Sequence, residues 1–208
     1  MTTWLHEQRL EAARKVVCAS GASTVLDLGC GVGDLLTRLV IEPQIERIVG
    51  VDLCRESLGR LRRRLEALER EAKAQVDLIH ASMTDDGTSL AGFDCAVLIE
   101  TIEHIDPHRL SVLERAVFAK MRPGTIIITT PNAEFNRLLG VPIHRFRHPD
   151  HRFEWDRAKF QRWVRGVASR NGYNVTCRDI AGSHLALGGA SQMAIFKLAA
   201  GASDCLVA

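Results

Sequence analysis

Glu100, Glu103 and His104 fall within the short string Glu100-Thr101-Ile102-Glu103-His104. Two carboxylates and an imidazole turned toward one point repel one another unless a cation lies between them. Mixed oxygen and nitrogen donors suit manganese or magnesium better than zinc, which prefers sulfur and imidazole. The same residues also make an ordinary acidic start to a helix, so the string leaves both readings open. A second polar cluster follows at His144, Arg145, Arg147, His148, Asp150, His151, Arg152 and Glu154. It is either a basic surface loop or, if the fold returns it to the same rim, the source of a further ligand.

A different chemistry is written into Asp27-Leu28-Gly29-Cys30-Gly31-Val32-Gly33-Asp34. Glycines permit a tight turn and close backbone approach to a ligand. Asp52 ends the next apolar run, where a carboxylate can accept hydrogen bonds from both hydroxyls of a ribose. A dinucleotide site would need GxGxxG. Here Asp34 stands where the third glycine would fall, and its carboxylate would crowd the place of a pyrophosphate. The DLGCGxG string, with its acid two residues before the first glycine, resembles the first motif of the class I methyltransferases, whose cofactor is S-adenosylmethionine. That resemblance implies Asp27 near the methionine amino group, Gly29 and Gly31 beneath the sugar, and Ser82 and Met83 along the adenine.

These residues need a scaffold, and the pattern of the chain supplies one. Residues 4–19 read as a helix, 24–29 as a strand, 34–41 as a helix and 47–52 as a strand. Leu58, Leu61, Leu65 and Leu68 predict a helix over 57–73. Strands follow at 75–81 and 93–100, a helix at 107–121 and a strand at 124–130. A polar loop runs from 131 to about 155. Asp156 then caps a helix reaching about Asn171, with Gly172 at its end, and 173–180 and 191–198 read as two closing strands. Such alternation predicts an α/β fold with a sheet covered on both faces. The near-continuous apolar run at 93–100 suits a central parallel strand. Ligands of such sheets bind at the carboxyl ends of the strands, where all the residues singled out above lie.

The bulk numbers fit one sizeable domain. The chain has 208 residues, 46% hydrophobic and 25% charged, with a net charge of +2. That charge announces no long nucleic-acid footprint. No apolar run is long enough for a membrane span, and the polar start of the sequence is no signal peptide, so the expected location is cytoplasmic. Cys18, Cys30, Cys54, Cys95, Cys177 and Cys205 form no CxxC pair and read as small buried hydrophobes. The last ten residues, 199–208, read as a loosely held tail.

The strings ETIEHIDP (100–107), TTPNAEFN (129–136), HPDHRFEW (148–155) and SQMAIF (191–196) together resemble the HEN-type (HUA enhancer) small-RNA methyltransferases. The resemblance runs from LHEQRLEA (5–12) to the last strand. It implies a class I methyltransferase (Rossmann-like), a doubly wound seven-stranded sheet, mostly parallel with an antiparallel closing strand. It further implies methyl transfer from S-adenosylmethionine to the 2′-hydroxyl of the 3′-terminal ribose of RNA. Glu100, Glu103, His104 and His151 fall on the family's metal ligands, for manganese or magnesium. A metal able to take both terminal hydroxyls would explain selection of an RNA 3′ end without base reading. His148 is a proton acceptor, a substrate contact or a supporting surface histidine. Arg145, Arg147 and Arg152, and the run Arg60, Arg62, Arg63 and Arg64, are available for phosphates; the run is equally a solvated helix face.

Plant and animal members of that family act on small regulatory RNAs. Bacterial members work in RNA repair with a polynucleotide kinase-phosphatase-ligase partner, as the C-terminal half of a longer chain. Residues 1–208 would then be a single methyltransferase domain, isolated or free-standing. Two other readings stay open: a metal-dependent O-methyltransferase for a small-molecule diol, and a non-catalytic nucleotide-binding domain.

Overall fold

A computed structural model describes residues 4–68, 70–85 and 87–200. The seven expected strands all form: β1 (Thr24–Leu28), β2 (Arg47–Asp52), β3 (Gln75–His80), β4 (Cys95–Ile99), β5 (Thr125–Pro131), β6 (Tyr173–Ile180) and β7 (Ser191–Leu198). They make one sheet in the order β3-β2-β1-β4-β5-β7-β6. Every pairing is parallel except those of β7, which runs antiparallel between β5 and β6.

Successive residues of a strand face opposite sides, and the sheet uses both. Leu26, Ala96, Leu98, Ile126 and Ile128 pack with Leu113, Phe118, Phe160 and Val164 on one face. Val25, Cys95, Val97 and Ile127 pack with Leu10, Val17, Leu36, Leu58 and Leu61 on the other. The first group lies under α4 (Leu110–Glu114) and α5 (Arg157–Asn171). The second lies under α1 (Trp4–Ala19), α2 (Leu36–Leu39) and α3 (Arg55–Ala67). Between β1 and β4 the strand order reverses direction, which opens a crevice beyond their carboxyl ends.

Three helices depart from the pattern. The one expected over 34–41 is only Leu36–Leu39, because the Asp34 carboxylate is drawn to Arg64 and His6 and does not cap it. The one expected over 57–73 ends at Ala67; the amides of Lys73 and Ala74 turn to the Val40 carbonyl, setting β3 in register with β2. The stretch 107–121 divides into a 3-10 turn at Pro107–Arg109, α4, and a π-helical segment Arg115–Met121 closed by Arg122 in the left-handed region at φ 49°. The expected loop after β5 contains a 3-10 helix, Ala133–Leu139. Of the cysteines, Cys30 and Cys95 are buried, Cys18 and Cys177 half-buried and Cys54 exposed; Cys205, with residues 201–208 of the expected tail, lies outside the described residues.

Candidate active site

The crevice holds a cavity of about 530 Å³ whose walls include Asp27, Gly29, Gly31, Glu100, Glu103, His104, His148 and His151. One side is the glycine turn. Gly29 adopts φ +80°, and a Cβ there would sit 2.5 Å from the Thr101 methyl, so close packing requires glycine. Gly31, at φ +54°, faces open space, and its N–H donates to Asp52 Oδ2 at 2.8 Å. Asp52 Oδ1 accepts from the Cys54 N–H at 2.7 Å, so both oxygens are fixed and still have acceptor capacity. Asp27 is buried against the same cavity; burial, then the nearby Asp52 charge, pushes its carboxyl up to about 7. Asp52, Ser82 and Met83 lie outside the cavity wall itself. Met83 is packed beside Gly29, and the Ser82 hydroxyl lies 2.7 Å from that of Thr84.

The other side is acidic and imidazole-rich. Glu100 follows β4 with φ 51°, a conformation rare for a side chain of its size. Its N–H donates to Thr129. Its Oε2 pairs with Arg9 at 3.2 Å and accepts from the Ser191 hydroxyl at 3.3 Å. Glu103 is fully buried in the turn Ile102–His104, and its Oε2 accepts from the Thr130 hydroxyl at 3.0 Å. Burial, then the Glu100 charge, raises the Glu103 carboxyl well above the usual range. Oε1 of Glu100 and Oε1 of Glu103 are both buried without a hydrogen-bond partner. Leaving such atoms unpaired in a protein interior is costly.

Opposite them the loop beyond β5 returns to the rim. Nitrogens of His104, His148 and His151 all lie within 4.8 Å of one another. His151 Nδ1 is 2.6 Å from Glu154 Oε1, the arrangement that orients a ligating imidazole through its second nitrogen. Burial, then His151, lowers the His104 pKa, favouring the neutral ring that a metal ion requires. Two orphaned carboxylate oxygens and a group of imidazoles on one cavity fit a divalent cation of the oxygen-preferring kind. The close group consists of the histidines; Glu100 and Glu103 share the cavity with it but stand outside that 4.8 Å set.

Several residues have roles that charge and spacing alone did not reveal. Arg9 and His6, from α1, reach Glu100 at the end of β4 and Asp34 just before α2. Arg147 is no free phosphate ligand. Its guanidinium donates to the Asn132 and Ala190 carbonyls and to Asn136, and its amide to Glu154, so it clamps the loop. Arg64 is likewise taken by the Val32 carbonyl and Asp34, and Arg60 by Glu56. Arg145 and Arg152 are exposed, Arg152 lying 3.9 Å from Asp106.

A doubly wound sheet with its sixth neighbour antiparallel, a glycine turn after β1 and an acid after β2 define a class I methyltransferase fold. Residues 4–177 match the family model described as a methyltransferase domain. The chain is 36% identical to a solved structure of the methyltransferase domain of bacterial-CtHen1-C, with a TM-score of 0.81 over 94% of this chain and 100% of that one. It is 38% identical to the small RNA 2′-O-methyltransferase of Gallus gallus, over 82% of this chain and 47% of that relative. The Hen1-containing Pnkp1/Rnl/Hen1 RNA repair complex shares the fold at 22% identity, with a TM-score of 0.67 over 93% of this chain and 41% of that one. The chain belongs to the Hen1-type methyltransferase domains, and it spans about half the length of the animal relatives it matches.

Proposed function

We propose that the chain methylates the 2′-hydroxyl of the 3′-terminal ribose of RNA, using S-adenosylmethionine and a manganese or magnesium ion held by Glu100, Glu103, His104 and His151. The observation that carries this reading is the pair of buried, unpartnered oxygens on Glu100 and Glu103, facing the cavity that also exposes the glycine turn. A cation there would supply charge stabilisation to an oxygen losing its proton. The cofactor would supply the methyl group as a sulfonium, so the hydroxyl oxygen gains the methyl carbon, the carbon–sulfur bond breaks and the hydroxyl proton is released.

The protein's own task is placement. Asp27 accepts from the cofactor's ammonium, and Asp52 from its ribose hydroxyls. Arg9 and Ser191 hold one oxygen of Glu100, and Thr130 one oxygen of Glu103, which would leave the other oxygen of each available to hold a cation. Glu154 fixes the His151 ring. His148 contacts the substrate: its Nδ1 accepts the Asp150 N–H at 3.2 Å, so the neutral ring carries its proton on Nε2, a donor for a substrate oxygen. Residues 1–208 act in this reading as one methyltransferase domain. In this reading the activity falls at broken RNA ends beside a kinase-phosphatase-ligase partner, as the family resemblance implies; the repair complex named above is a neighbour in fold alone.

The test is methyl transfer to short RNAs that differ only at the 3′ nucleotide, with manganese, magnesium or a chelator. Transfer is expected to a 2′,3′-diol end, to vanish on a 2′-deoxy or 3′-phosphate end, and to vanish with chelator. Glu100→Ala or His151→Ala should abolish transfer and keep cofactor binding within a few fold by calorimetry. Methylation of the 2′-deoxy end sinks the assignment of the acceptor. Full activity of either variant sinks the metal site.

A further inference from the structure

Glu154, which is bonded to His151, also lines a further depression of about 420 Å³, whose walls include Arg137, Val141, Pro142, Ile143, Arg145 and Phe146. Its size is that of small-ligand sites, roughly 300–1,000 Å³. Ile143 is fully exposed and Phe146 is 47% exposed, so large apolar groups stand in solvent on one short loop. Apolar groups concentrated in this way mark a binding surface. The cations beside them are uncommitted: the exposed guanidinium groups of Arg137 and Arg145 have no hydrogen-bond or ion-pair partner among the described residues. The acids of the same depression are committed. Glu134 is bonded to Arg157, and Glu154 to His151, Asn136 and the Arg147 amide.

An exposed ring sharing one depression with two free guanidinium groups matches a base with its flanking phosphates better than an apolar peptide, which would leave both cations without an anion. Rings accept bases of any sequence by stacking, while arginines hold the backbone. Position selects which base. Phe146 and His148 are two residues apart, so their Cα atoms are at most about 7.6 Å apart. Glu154, whose carboxylate fixes His151 from the active-site side, also lines this depression. We propose that the depression is a subsite for the unpaired base next to the 3′-terminal nucleotide, stacked on Phe146, with Arg137 and Arg145 on the adjoining phosphates. This rests on the RNA reading above.

The experiment uses the full chain and a short RNA carrying 2-aminopurine, whose fluorescence is quenched by stacking, at the penultimate position. Wild-type protein should quench it on binding. Phe146→Ala should remove the quenching and weaken affinity by about 5- to 100-fold, while Phe146→Trp retains both. Thermal melting checks that the variants fold, which the exposure of the ring favours. A probe placed deep in the RNA should report nothing. The proposal is overturned if Phe146→Ala binds and quenches like wild type, an outcome that would leave the patch to a protein partner. A parallel end-methylation assay keeps the two readings apart. If wild type methylates RNA ends and Phe146→Ala still quenches, only the subsite fails. If wild type neither binds nor methylates RNA, the proposed function fails and the subsite with it.

Discussion

Asp27 shows how one buried carboxylate ties cofactor binding to pH. Burial and the Asp52 charge hold it near 7, far above its usual value. The raised value means that the metal-free, cofactor-free fold is favoured by protonated Asp27 at low pH. That contribution is lost as pH rises from the unfolded value, about 4, through 7. A cofactor ammonium reverses the preference by favouring the ionised form. Cofactor affinity should therefore fall as pH drops below 7, by up to about tenfold per unit, and level off above 8. Calorimetry from pH 5.5 to 8.5 checks this, and Asp27→Asn should bind weakly with a flat profile. A flat profile in the wild type would remove Asp27 from the ammonium. Glu103 obeys the same physics: burial and the Glu100 charge favour its protonated form, and under the proposed function a cation would relieve both carboxylates.

At the scale of elements, α5 is where sequence and structure agree most closely. Asp156 accepts the Lys159 amide at 2.7 Å and Gly172 closes the helix at φ 72°. Phe160, Val164 and Val167 bury one face of it against the sheet. Asp156→Ala should cost about 1 kcal/mol of stability, read as a shift of the urea midpoint with unchanged slope; an unchanged midpoint would show that water caps the helix as well. The strands were equally legible, because buried parallel strands are written as apolar runs. The shortened α2 and α3 were not, since their ends are set by Arg64 on Asp34 and by the Val40 carbonyl, partners distant in the chain. The site divides in the same way. Glu100, Glu103 and His104 are close in sequence, and His151 stands in a recognisable string. Arg9, Thr130 and Ser191 meet Glu100 and Glu103 only after α1, β5 and β7 have packed. Arg147 misled because a sequence displays charge but not burial, and this arginine spends its donors on its own loop.

At the scale of the whole molecule, the distribution of committed charge limits how the proposed RNA substrate could be held. The net charge is only +2, and many arginines are consumed inside the fold: Arg14 by Glu11 and Glu42, Arg38 by Glu7, Arg157 by Glu134 and Arg170 by Glu114. Arg62 and Arg63 are exposed on α3, but that helix packs over β2 and β3, across the sheet from the loop that bears Arg137 and Arg145. An RNA end seated in the crevice and the Phe146 depression therefore meets two free guanidinium groups, not a basic track. Each phosphate neutralised on a single strand contributes about −0.7 to the slope of log affinity against log salt. Two contacts predict a slope of about −1.4, measurable by fluorescence anisotropy between 50 and 300 mM salt, roughly the range over which such slopes are read. Arg137→Ala with Arg145→Ala should flatten it toward zero. A slope of about −3 or steeper, insensitive to those substitutions and reduced by Arg62→Ala with Arg63→Ala, would place the RNA along α3 instead. It would then reach the crevice over the β2 side, and the end would be held by its backbone rather than by a stacked base.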